Sequence, residues 1–374
     1  MVDLLIKRFV SAVISVAIGL SIVNFEANAL DISAQSAVVM NCDTGEVVFS
    51  KNADEKRPMA STTKIMTSLL AVKSGKLEDV VPINDDTAIE GTSAGLKKGY
   101  KYKLIDLVYA MMLESGNDAA YAVACYLCGS EKDFSLLMNQ KAEDIGMHNT
   151  NFVTASGLDA DNHYSTAYDM ALLGCYTIKN DTFREVCSTK SKNIALVKPD
   201  IVFNYSNHNK LLGNLDGAIG IKTGFTKKSG RCLVSACERN SVRYVAVTLN
   251  APDDWNDHEK LYSYAYERTK ISSLNLNFPR KISVYSGTES YLELSTDSVR
   301  IPYIRMSDYE YKVVLPRFLY APIKKGDVVG RIVLRFSDGM MIEININATK
   351  SIDVIGGRDK PSSILIRLIR KIFT

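Results

Sequence analysis

The sequence has little that would hold a metal or a nucleic acid. Its histidines number four, His148, His163, His208 and His258, and they lack a mutual spacing suited to a metal. No HExxH stretch occurs either. No metal and no cofactor are expected. The formal charge of +3 on 374 residues is slight, and no basic stripe is interleaved with aromatics, which argues against nucleic acid as a partner. The apolar run FVSAVISVAIGLSIV falls short of the roughly 20 residues that a membrane span requires. It follows Lys7 and Arg8 and precedes the small residues of Ala27 to Ala29, the pattern of a cleaved export signal. Residues 1–29 are therefore expected to be a signal peptide and the mature chain to be exported.

An exported chain often pairs its cysteines, but Cys42, Cys125, Cys128, Cys175, Cys187, Cys232 and Cys237 are odd in number, and a chain of this size needs no stapling. The pair in CYLC, Cys125 and Cys128, sits in the helical pattern NDAAYAVACYLCG with no second pair to complete a metal site. These two are expected to be small apolar core residues.

At 46% hydrophobic residues the chain can bury a substantial core and divide into two domains. SAVVMNCDTGEVVFSKN alternates about a DTG turn and predicts a hairpin. Helical spacing follows at about 61–73, 104–113, 118–127 and 134–145. Strands return in AIGIKT, RCLVSA and VRYVAVTL, too closely linked to be parallel. Strands from both ends around a helical block predict an α/β fold of the α+β kind, an antiparallel sheet flanked by helices, over 30–272. From 273 to 356 short alternating strands predict a small all-β domain. The tail from 357 differs again: Ile364, Leu365, Ile366, Leu368, Ile369, Ile372 and Phe373 share one helical face and Arg367, Arg370 and Lys371 the other. Such a basic amphipathic helix lies in a membrane interface rather than across it.

Three short polar motifs stand out in this frame. Ser61 and Lys64 share a helix face in STTK, where a polar loop meets a buried helix. The stretch reads as a helix cap with a solvated lysine, or as a nucleophile with its base. ESGND places Ser115 and Asn117 on a corner between two apolar helices, and reads equally as a turn. S-x-N spacing also occurs at Ser191 to Asn193, with a similar YSN at Tyr205 to Asn207, both in polar surroundings. IGIKTGFT ends a strand at Lys222, Thr223 and Gly224, where the glycine would let a substrate backbone approach. His163, Ser165 and Asp169 invite a triad reading, but Thr166 and Asp169 form the capping-box-like TAYD, and fixing a loop and a helix start is the expected task.

In this order S-x-x-K, S-x-N and K-T-G match the set of active-site-serine β-lactamases and penicillin-binding proteins. With NFVTASGLDADNHYSTAYDMALL and APIKKGDVVGRI, the chain resembles the low-molecular-mass D-alanyl-D-alanine carboxypeptidases of serine peptidase family S11 over nearly all of its mature length. The resemblance implies a β-lactamase/transpeptidase-like fold and hydrolysis of peptidoglycan stem peptides ending in D-Ala-D-Ala, with β-lactams as covalent inhibitors. Ser61 is then the nucleophile, Lys64 its base, and Ser115 with Lys222 a proton relay to the leaving nitrogen. Asn117 holds the substrate amide, Thr223 its carboxylate, and the backbone N–H groups of Ser61 and Phe225 the oxyanion. The region LNAPDDWNDHEK lacks the carboxylate-binding arginine of some relatives, so Lys222 and Thr223 are expected to serve that group. By the same resemblance the enzyme sits on the outer face of the cytoplasmic membrane. A β-lactamase, or a non-catalytic β-lactam sensor or wall-binding protein, are the alternative readings.

Overall fold

The computed structural model describes residues 30–84, 89–274, 276–296, 300–303, 308–337 and 341–355. The signal peptide and the amphipathic tail lie outside the described residues. Among the described residues, no helix is long and apolar enough to cross a membrane.

The N-terminal hairpin folds as the alternation predicts, with strands β1 (Ser36–Asn41) and β2 (Val47–Lys51). It joins a sheet whose remaining strands come from far along the chain: β3 (Ala218–Thr226), β4 (Gly230–Arg239) and β5 (Val242–Leu249). The order is β2-β1-β5-β4-β3 and every pairing is antiparallel. β3 is thereby an edge strand, with no strand paired on its outer side among the described residues.

Between these strand groups runs the helical block, with α1 (Lys64–Lys73), α2 (Leu104–Leu113), α3 (Asn117–Cys128), α4 (Glu131–Ile145), α5 (Ala167–Thr177) and α6 (Asp181–Ser188). α7 (Asp254–Arg268) follows the sheet. Alternation along the strands sorts the helices to opposite faces. Val234 and Val245 point toward α5, where a Cβ on Gly174 would lie 2.8 Å from Val245 Cγ1, so glycine sets the distance between helix and sheet. Their neighbours Ser235 and Thr248 point the other way and meet His258 of α7 at 2.6 and 3.0 Å. Cys42, Cys175, Cys187, Cys232 and Cys237 are buried; Cys125 and Cys128, read as core residues from the sequence, are only half-buried, because their stretch of α3 lies near its C-terminal end.

The separate C-terminal domain is all β. Its six-stranded sheet, spanning Lys281–Tyr285 to Met341–Ala348, is antiparallel except where Lys281–Tyr285 pairs in parallel with Phe318–Tyr320. Alternate residues such as Ile282, Val284, Leu292, Leu294, Ile332, Leu334 and Ile346 build a core of its own.

Candidate active site

The STTK stretch begins as a 3-10 turn, Ala60–Thr63, that runs into α1. Neither Ser61 nor Thr62 caps it: the turn has no side-chain cap, and the Thr62 hydroxyl donates back to the Met59 carbonyl at 2.6 Å. Lys64 does not reach solvent. It is fully buried, and its Nζ lies 2.9 Å from Ser61 Oγ, 2.7 Å from Asn117 Oδ1 and 2.7 Å from the Ser156 carbonyl. Two of these partners can only accept, so a neutral amine spends two N–H bonds on them and turns its lone pair toward the serine hydroxyl. Burial holds the Lys64 pKa well below the ordinary 10.5, the nearby Lys222 lowers it further, and Asp118 pulls it back up.

Holding the serine there takes close approach on two sides. Ala60 has φ +49°, a left-handed conformation that alanine adopts only under constraint. A Cβ on Gly157 would come 1.9 Å from the Ala60 carbonyl oxygen, so that loop can hold the turn only with glycine. On the other side a Cβ on Gly224 would lie 3.0 Å from the Ser61 backbone nitrogen. The space left by Gly224 admits the serine's own turn. The same close approach puts the Ser61 N–H beside the strand that carries Phe225.

The ESGND corner places Ser115 in the same cleft as Ser61 and Asn117 against Lys64. Ser115 is mostly buried, with φ +60°, and Asn117 opens α3. The Asn117 carboxamide is engaged at both ends, its oxygen by Lys64 and its nitrogen by the Glu90 carbonyl at 2.7 Å. Asp118 is almost fully buried and accepts from Ser93 Oγ, Ala94 N and Leu96 N, which pins the 92–96 loop beside the corner. Lys222 is buried, donates to the Thr223 carbonyl at 3.0 Å, and is pushed down by burial to about 7. The rival Ser191 and Asn193 lie exposed on a hairpin strand instead.

Ser61, Thr92, Ser115, His208, Lys210, Thr223, Gly224, Phe225, Arg231, Asp254 and Trp255 line one cleft of about 320 Å³. Phe225 stands 66% exposed at its rim. Arg231 was missed by the motif reading because it belongs to none of the three motifs. A signal was available, since hairpin pairing of IGIKTGFT with RCLVSA puts Arg231 opposite Phe225.

His163, Ser165 and Asp169 form no triad. His163 Nδ1 accepts from the Val153 N–H at 2.9 Å, so its proton sits on Nε2, facing Thr63 Oγ1 at 2.9 Å. Thr166 Oγ1 caps α5 by accepting from Asp169 N at 3.0 Å. The short Asp169 carboxylate takes Asn149 N and Thr150 Oγ1 rather than closing the box. Together these bonds fix the loop that carries Ser156 and Gly157.

The chain is also similar to known proteins over most of its length. The D-alanyl-D-alanine carboxypeptidase family matches residues 23–253, and the penicillin-binding protein 5 C-terminal domain matches residues 266–354. The chain is 30% identical over 338 residues to D-alanyl-D-alanine carboxypeptidase DacF of Bacillus subtilis, covering 86% of this chain and 87% of that one. To DacC of Escherichia coli it is 35% identical over 328 residues, covering 81% and 80%. Among solved structures, the D-alanyl-D-alanine carboxypeptidase DacD of Francisella tularensis superposes with a TM-score of 0.61 at 30% identity, covering 87% of this chain and 94% of its own.

The buried His163 gives the site a pH signature. Burial lowers its pKa from the ordinary 6.5 to about 4. Between those values the unfolded chain binds a proton that the folded chain refuses, so stability is whole above pH 6.5 and is lost as pH falls toward 4. His163 alone accounts for about 3 kcal/mol of that loss. Urea unfolding between pH 7 and 4.5 should show the decline, and His163→Gln, less stable at pH 7, should show a shallower one. Parallel declines in the two proteins would contradict this role.

Proposed function

The chain belongs to the D-alanyl-D-alanine carboxypeptidase family, and from that premise we propose that it removes the terminal D-alanine of peptidoglycan stem peptides through an acyl-enzyme on Ser61, which β-lactams trap. The observation that carries the reading is the buried Lys64 amine, 2.9 Å from the Ser61 hydroxyl and held by two further acceptors. A serine hydroxyl is a weak nucleophile until a base takes its proton. Lys64, kept neutral by burial, takes that proton as Ser61 Oγ attacks the carbonyl carbon of the penultimate D-alanine.

The negative oxygen that forms is stabilised by the backbone N–H groups of Ser61 and Phe225. The C–N bond then breaks, and D-alanine leaves with a proton relayed through Ser115 and Lys222. The substrate lies along the unpaired edge of β3, in the manner of an added strand. Asn117 positions Lys64 through its oxygen and offers its second N–H to the substrate amide, while Thr223 receives the terminal carboxylate and Gly224 keeps the strand close to the serine. Water attacks the ester carbonyl in the second step and frees Ser61.

Export through residues 1–29 and attachment by the basic amphipathic tail would place this chemistry at the outer face of the cytoplasmic membrane, where nascent wall peptides are found. The relatives' C-terminal domain, matched here, supports a cell-wall setting.

Two measurements check the proposal. Purified chain without its signal should release free D-alanine from a pentapeptide ending in D-Ala-D-Ala and be labelled by a fluorescent penicillin. Ser61→Ala should fold and lose both. Labelling of Ser61→Ala at wild-type stoichiometry removes Ser61 from the mechanism; labelling of the wild type without D-alanine release indicates a sensor instead, and rapid turnover of penicillin a β-lactamase. For the tail, the full mature chain should sediment with anionic vesicles, and deletion from Ser362 onward should release it without slowing hydrolysis of a soluble peptide. Unchanged sedimentation after the deletion would place the anchor elsewhere.

A further inference from the structure

Two buried thiols meet where the N-terminal hairpin turns away from the sheet. Cys42 directly follows β1, and its N–H donates to the Arg243 carbonyl at 2.9 Å, so its backbone is still held by the neighbouring strand. It stands two residues beyond Met40 and therefore on the same face, in the core that the sheet shares with the helical block. Met40 pairs with Val245, against which Gly174 seats α5, and Cys175 is the next residue of that helix. The two sulfurs lie 2.7 Å apart. That is closer than unbonded sulfur atoms rest, and a small movement from the roughly 2.05 Å of a disulfide. Both residues are nearly closed to solvent, Cys42 4% and Cys175 8% exposed. The other buried cysteines differ, since Cys187, Cys232 and Cys237 turn their sulfurs to backbone carbonyls.

We propose that Cys42 and Cys175 are oxidised to a disulfide when the chain folds in oxidising surroundings, a modification that clamps the N-terminal hairpin to α5. The inference is independent of what the cleft hydrolyses. An odd count of cysteines rules out complete pairing and leaves room for one bridge. The oxidant is of the disulfide class, a thiol oxidoreductase or glutathione disulfide. One cysteine attacks it as thiolate, forms a mixed disulfide and releases a thiol; the other then attacks the protein-side sulfur of that mixed disulfide and releases the second. Two electrons and two protons pass from the pair to the oxidant, which ends as two thiols. Burial sets the order of events. It raises the Cys175 thiol well above its ordinary 9.0, and the adjoining Cys42 raises it further, so the finished fold disfavours the attacking thiolate and the bond forms while hairpin and helix are still docking. The same packing then shields it from reductants. The bridge joins positions 133 apart in the chain, a span that includes Ser61, Lys64 and Gly157. Closing so long a loop removes much of the freedom of the unfolded chain.

The test refolds the mature chain from guanidinium in a mixture of reduced and oxidised glutathione, alkylates it with iodoacetamide in denaturant and digests it without reductant. Mass spectrometry should find one linked pair of peptides, carrying Cys42 and Cys175, with the remaining cysteines alkylated. Dithiothreitol should leave the bond intact in the folded protein and cleave it in guanidinium. The oxidised chain should melt about 10 °C or more above the chain kept reduced throughout. Cys42→Ala and Cys175→Ala should each melt at one temperature in both buffers, whereas Cys187→Ala should keep the difference. Where an alanine variant does not fold, the thiol count of the wild type decides alone. Alkylation of all seven cysteines after oxidative refolding, or a bridge joining any other pair, would overturn the assignment. Equal melting of oxidised and reduced wild type would show a bond that clamps nothing, and would refute the role given to it.

Discussion

A lysine amine buried with no carboxylate hydrogen-bonded to it is the constraint around which the rest of this structure is arranged. Placing Lys64 at the start of α1, with no exposed surface, disfavours its charged form, and only hydrogen bonds compensate for the lost water. Asn117 from the next helix pair and the Ser156 carbonyl from a loop supply them. That loop is held in turn by Thr67, which donates to the Ala155 carbonyl at 2.6 Å, and by Glu131, which accepts from Ala155 N at 2.8 Å. The third direction of the nitrogen is thereby aimed at Ser61. Moving any one of these supports would leave a buried polar group without its partner, so the chemistry and the packing are the same set of contacts.

The sheet sets the other half of the site. The N-terminal hairpin takes one side of the sheet, which leaves β3 at the opposite edge with Gly224 against the serine turn. An edge strand is normally a hazard, open to pairing with other chains. Here it borders the cleft, and the exposed Phe225 and half-exposed Arg231 stand where an extended peptide would lie. The left-handed Ala60 and Ser115 are the strained points of the same assembly, held by neighbours that leave them no alternative.

Much of this was legible in the sequence, and the reasons are specific. The helices Leu104–Leu113 and Lys64–Lys73 carry continuous apolar faces, and the strands Ala218–Thr226 and Val242–Leu249 carry strong β-formers, so local pattern and global fold agree there. Ser61, Lys64, Ser115, Asn117 and Lys222 stood out because each belongs to a short motif. What escaped was set by contacts distant in sequence. Gly157 has φ +87° and Ala60, almost a hundred residues away in the chain, passes over it, and neither constraint can be read from its neighbours in sequence. Arg231 depends on strand register, Asp254 on the start of a later helix. Asn117 looked like a substrate ligand and proves first to be a ligand of Lys64, a partnership that links α3 to α1 and is invisible to spacing.

The central claim is that Lys64 stands neutral beside Ser61 in the resting enzyme. It is tested most directly by titrating the Lys64 side chain through its Cε and Nζ resonances in selectively labelled protein, assigned against Lys64→Arg. The account predicts a midpoint well below the ordinary lysine value, so that the amine carries its lone pair at neutral pH. A midpoint at or above that ordinary value would mean an ammonium donating to Ser61, and would contradict it.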